Sequence, residues 1–258
     1  ATAPVAPPAG LRYTPQENAI LAVLDKTSSL PVSARLSALS RLASSDRTFA
    51  EPRHRALLLL EQCISAAMAG QTADRYAVQL RELETRSQGQ EPAAAVARQQ
   101  CELTQSWEQR DGRSAFEARH RVYVATATLG LPLLRYRAAT AYAREALALG
   151  FVDEALAAVQ VALRIAEANG DAPYRRDSLM DLALVQADLG QHADAVRNSA
   201  ASLAIAGGAQ RTDLLLNRGH VLLRAEKLAE ALSVYRQVRQ IAAADGNRET
   251  DLIAMLNM

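Results

Sequence analysis

The 258-residue chain holds 53 Ala and 36 Leu against three Phe, seven Tyr, one Trp, 12 Gly and nine Pro. Ala and Leu head the helix-propensity scale, and so few turn residues exclude the many hairpins of an all-β sandwich or barrel. With 29 basic and 28 acidic side chains the net charge is +1, so no electrostatic excess draws the chain onto nucleic acid or an anionic membrane.

In chain order, residues 1–15 begin Ala1-Thr2-Ala3-Pro4-Val5-Ala6-Pro7-Pro8-Ala9-Gly10, a Pro/Ala composition that neither nucleates a helix nor buries a core, and read as a linker. Such a start is what signal peptidase leaves behind small residues; a boundary chosen inside a longer protein would look the same. Helices are predicted over 16–27 and 32–45, begun at Thr14-Pro15 and separated at Pro31, as a capping hairpin within residues 16–48. Over 49–245 the apolar periodicity predicts helices at 53–69, 73–87, 92–109, 113–129, 132–149, 152–169, 174–189, 192–206, 211–225 and 228–244. The last segment, 246–258, carries a helix from 247 that stops without a closing signal, which fits a chain continuing into another domain or a membrane anchor. No window approaches the ~18–20 consecutive apolar residues of a transmembrane helix, so direct membrane insertion of this segment is not expected.

The strongest pattern is internal. Three stretches share an apolar helix, a Gly-centred or polar turn and then an Ala followed by an aliphatic residue: Leu149-Gly150-Phe151-Val152-Asp153-Glu154-Ala155-Leu156, Leu189-Gly190-Gln191-His192-Ala193-Asp194-Ala195-Val196, and Ala225-Glu226-Lys227-Leu228-Ala229-Glu230-Ala231-Leu232. Ala155, Ala195 and Ala231 lie 40 and 36 residues apart, one helical hairpin plus its connector. Turns at Gly70 and around Arg110-Asp111-Gly112 extend the rhythm upstream. A hairpin such as 136–169 has apolar stripes that one partner cannot cover, so hairpins must stack on one another, giving an all-α fold, an α-solenoid of about 12–13 helices.

These stretches resemble the tetratricopeptide repeat family, with Ala143, Ala183 and Gly219 at the small position of the first helix and Ala155, Ala195 and Ala231 on the second. The match is specific over 136–245 and loose before 130. The resemblance implies that first helices line a concave groove. Its positions fall on Arg137, Thr140 and Arg144; on Asp177, Met180, Leu184 and Asp188; on Asp213, Leu216, Asn217, His220 and Arg224; and, upstream, on Gln100, Thr104 and Trp107. A groove of mixed polarity and both charge signs suits an extended peptide or a partner helix. Only Asn217 matches the clamp by which some relatives hold a terminal carboxylate, so that recognition is not expected.

Catalytic signatures are missing from the sequence: no phosphate loop, no His-Glu-x-x-His helix, no Gly-x-Ser-x-Gly elbow and no pair of Cys-x-x-Cys motifs. No cofactor or metal is implied. His54, His120, His192 and His220 fall in different hairpins and read as solvated or capping residues, and Arg53-His54-Arg55 and Arg119-His120-Arg121 as solvated helix faces. One Trp and few other aromatics leave little platform for base stacking. Cys63 and Cys101 lie 38 residues apart, on first helices of neighbouring hairpins. Packed helices stand ~8–10 Å apart, beyond the Cα separation a disulfide spans, so two buried thiols are expected; a bridge stays open because an exported location would permit it.

The sequence therefore points to a non-enzymatic protein- or peptide-binding module, monomeric or dimeric, with no nucleic-acid partner. Its layout is similar to the periplasmic sensory region of bacterial membrane signalling proteins of the diguanylate cyclase or histidine kinase type. A free-standing periplasmic adaptor for an envelope or secretion complex is the first alternative. The second is the helical-repeat arm of a cytoplasmic transcriptional regulator.

Overall fold

The computed structural model describes residues 10–105, 112–207 and 211–258. Over these residues the chain is all-α, with thirteen α-helices, two 3-10 turns and no strand, in the antiparallel hairpins of an α-solenoid. Helix bounds follow the sequence expectation closely wherever both ends are described. The chain divides into two compact units, Ala1–Glu145 and Ala146–Met258, so the division crosses the segment 49–245 that the sequence reads as one array.

The first unit contains α1 (Pro15–Lys26), α2 (Val32–Ser45), α3 (Pro52–Met68), α4 (Asp74–Arg86), α5 (Pro92–Gln105), α6 (Gly112–Ala125) and most of α7 (Pro132–Ala148). Thr14 begins α1 with a capping box: its hydroxyl accepts from Glu17 N at 3.1 Å, and Glu17 Oε2 accepts from Thr14 N at 2.7 Å. The other oxygen of Glu17 accepts from Leu133 N at 2.6 Å, so one buried carboxylate serves the amino-terminal ends of both α1 and α7. Burial pushes that carboxyl above its ordinary value of 4.5, against the lowering effect of these bonds and of the Arg53 charge.

Helix α3 is the centre of this unit, packed against α1, α2, α4 and α5. Leu57, Leu58, Leu59 and Leu60 are all at most 2% exposed, so a helix covered on every side has no use for a polar face. Helix α5 carries buried Ala93, Ala94 and Ala97 and packs on α3. Such small side chains permit close approach, and the Cα atoms of Cys63 and Cys101 stand 5.9 Å apart with the sulfurs joined in a disulfide. This corrects the expectation of two thiols: facing Cα atoms of two packed helices lie closer together than the helix axes do, and here they stand within disulfide range. A 3-10 turn, Arg47–Ala50, which periodicity did not reveal, seats Phe49 in the core at 1% exposure.

The second unit continues with α8 (Val152–Asn169), α9 (Ala172–Asp188), α10 (His192–Ile205), α11 (Arg211–Arg224), α12 (Leu228–Ala244) and α13 (Arg248–Leu256). The repeated Ala155, Ala195 and Ala231 are fully buried. The turns preceding them share one geometry: Phe151 N donates to Ala146 O, Gln191 N to Gln186 O and Lys227 N to Leu222 O, at 2.8–2.9 Å. This closure needs a left-handed residue, supplied by Gly150 and Gly190 and, in the third turn, by Glu226 at φ 58°. At Gly219 of α11 the ring of Tyr235 on α12 comes so close that a Cβ would sit 2.5 Å from it. Helix α13, capped by Asn247, closes the core through Ala254 and an Arg239–Asp251 ion pair at 2.7 Å.

Candidate functional site

Residues of a helix separated by three, four, seven or eleven positions share a face. On α9 that relation joins Asp177, Leu184 and Asp188; on α11 it joins Asn217, His220 and Arg224. The two helices pack directly, and Arg224 bonds Asp188 at 3.1 Å, so the stripes meet at one end through an ion pair. Asp188, His220 and Arg224 are exposed, while Asp177, Leu184 and Asn217 are half-buried. Arg176 holds Asp177 at 2.7 Å, and Leu184 packs on the apolar cluster of Ala183, Ala187, Ala195 and Val221. Asn217 and His220 make no side-chain hydrogen bond among the described residues. Met180 is buried, Leu216 half-buried and Asp213 exposed.

The stripes are held from behind by α10. Ser202 Oγ donates to Arg176 O at 2.8 Å, Asn198 donates to Gln186 at 2.7 Å, and Arg218 donates to Val196 O and Ser199 Oγ. These bonds fix both helices while leaving the polar stripes on the opposite side for other contacts. The face offers an anion, a cation, an amide, an imidazole and an aliphatic side chain, which are recognition groups without a nucleophile–base pair among them.

In the first unit the corresponding positions are used differently. Arg137 makes a two-pronged ion pair with Glu61 of α3, both contacts at 2.8 Å, and Glu61 is buried. Thr140 is buried and donates to Tyr136 O at 3.1 Å. Gln100 is 3% exposed and Thr104 donates to its carbonyl at 2.8 Å. Arg144 alone of the α7 trio is exposed. Packing therefore occupies Arg137, Thr140 and Gln100, while Trp107 and the Arg110-Asp111 turn lie outside the described residues.

Of the basic triplets, His120 and Arg121 are exposed, as a solvated face requires, whereas Arg53, His54 and Arg119 are held by the interior. Arg53 donates to Leu129 O at 2.9 Å, His54 is buried beside Thr48 O and Glu51, and Arg119 is buried with Glu145 at 3.2 Å and Leu103 O at 3.3 Å. His120 stands 5.2 Å from the Tyr142 ring, centroid to centroid. Sequence reasoning missed Glu17, Glu61 and Glu145 as interior carboxylates. One signal was present for Glu61: it follows directly on four consecutive leucines, so it shares their helix and needs a buried cation. Among the described residues no group of three or more His, Cys, Asp or Glu could hold a metal ion, and no helix is long and apolar enough to cross a membrane.

No family model and no curated relative matches the chain. Among solved structures it is similar to the crystal structure of a Signal Transduction ATPase with Numerous Domains from Pyrococcus horikoshii, a protein with a tetratricopeptide repeat sensor. The TM-score is 0.56 at 14% identity, over 94% of this chain and 37% of that one. The likeness is one of fold, a helical-repeat architecture, and the chain spans well under half the length of that neighbour.

Proposed function

We propose that the chain is a non-enzymatic binding module that takes an extended peptide or a partner helix on the α9–α11 face. We further propose that it works as the extracytoplasmic sensory region of a bacterial signalling protein. The observation that carries the binding reading is the pair of aligned stripes on α9 and α11, of which Asp188, His220 and Arg224 are exposed while α10 fixes both helices. Spaced side chains on rigid first helices read a partner by shape and charge along its length. The Cys63–Cys101 bridge supports an oxidising compartment, since structural disulfides persist outside the reducing cytosol. The structural neighbour is itself described as carrying a repeat sensor.

The test is selection of a displayed random-peptide library on the folded chain, followed by affinity measurements on Asn217→Ala and His220→Ala. The reading expects enriched peptides whose binding falls about tenfold in each variant, as for loss of a well-made interface contact. A library that yields no enriched binder, or binders indifferent to both substitutions, would remove the face from consideration.

A further inference from the structure

We propose that a cavity in the first unit binds a small monocarboxylate with an apolar tail. The cavity, about 460 Å³, lies among the end of α2, the 3-10 turn, α3 and α4. That volume falls in the range of small-molecule sites, about 300–1,000 Å³. Its walls include Phe49, Leu59 and Leu83, of which Phe49 and Leu59 are fixed in the core at 1% and 2% exposure.

Its charged lining is Arg55, Arg86 and Glu82. Arg86 is paired with Glu82 at 3.3 Å, one helical turn back on α4. Arg55 is half-buried, and its guanidinium has no hydrogen bond or ion pair among the described residues. Every other partly or fully buried arginine named above, Arg53, Arg119, Arg137, Arg176, Arg218 and Arg239, donates to an oxygen of the chain. One guanidinium without a protein partner, in a lining that sets Phe49, Leu59 and Leu83 beside Gln79 and Glu82, matches a single negative charge on a small, partly apolar body. The planar fork of arginine favours the two oxygens of a carboxylate. A phosphate dianion would call for a second free cation, and Arg86 is engaged by Glu82. None of these residues belongs to the α9–α11 face, so the site stands or falls apart from the peptide-binding reading.

The experiment is calorimetric titration of the full chain with 3-phenylpropanoate and octanoate, and with the neutral 3-phenylpropanamide. It is repeated on Arg55→Gln and on Ala50→Trp, which puts a bulky ring at the exposed rim of the cavity while keeping Arg55. We expect saturable binding of at least one carboxylate, about tenfold weaker for the amide and for Arg55→Gln, as for loss of a charged hydrogen bond, and abolished in Ala50→Trp. The amide comparison needs no variant, so it reads the charge requirement even if a substitution disturbs folding. Absence of saturable binding by either carboxylate, equal affinity for acid and amide, or full binding by Ala50→Trp would each overturn the proposal.

Discussion

Two single residues bear more of the structure than their types suggest. Gly219 is the small position of its repeat because Tyr235 leaves no room for a Cβ. Gly219→Ala should lower stability by about 1–3 kcal/mol through overpacking, read from urea unfolding; an unchanged midpoint would mean the ring moves aside at no cost. Glu17 is held as a buried acceptor between Thr14 N and Leu133 N with its carboxyl raised above 4.5. A folded value above the unfolded one means that the folded state holds the proton more tightly. The associated stability is fully present below about pH 4.5 and is lost as pH rises through the raised value. Glu17→Gln should remove that downward slope above pH 4.5, while lowering stability overall by turning an amide NH₂ toward one of two backbone N–H donors. Unfolding curves for the two proteins across this window check it, and parallel pH profiles would contradict it. Gly219 was legible because the repeat register singles it out. Glu17 was not, since Leu133, which it caps, lies 116 residues away in sequence and no local period encodes the contact.

Helices were the most legible elements, because Ala-rich amphipathic segments and turn glycines act locally. How closely two helices approach is not local, and there the sequence reading failed at Cys63 and Cys101. The bridge between α3 and α5 closes a loop of 38 residues. Removing it by Cys63→Ser with Cys101→Ser should cost about 3–4 kcal/mol on the chain-entropy account. A thermal scan of the double variant beside the native chain reads the effect, and an unchanged midpoint would show that packing alone sets the α3–α5 contact. Exposure along first helices was equally hidden. Register placed Arg137, Thr140 and Gln100 on an inner face, yet a buried Glu61 two hairpins upstream claims Arg137, and the first unit packs over the other two. The same register on α9 and α11 left a face uncovered.

Across the molecule, one repeat pattern produces two compact units with different uses of their first helices. In Ala1–Glu145, ion pairs, a disulfide and a shared cap consume the polar positions; in Ala146–Met258, α10 and α12 complete the core and the α9–α11 stripes stay open. The central claim is that this open face is the binding surface. Its sharpest test is the affinity of the library-selected peptides for the double variant Asp188→Arg, Arg224→Asp, which keeps the ion pair but reverses the charge order along the face. The pair is partly exposed, so the exchange should shift stability by under about 1 kcal/mol. The account predicts an almost unchanged melting temperature with about a tenfold loss of peptide affinity; equal affinity for the exchanged and native pairs would contradict it.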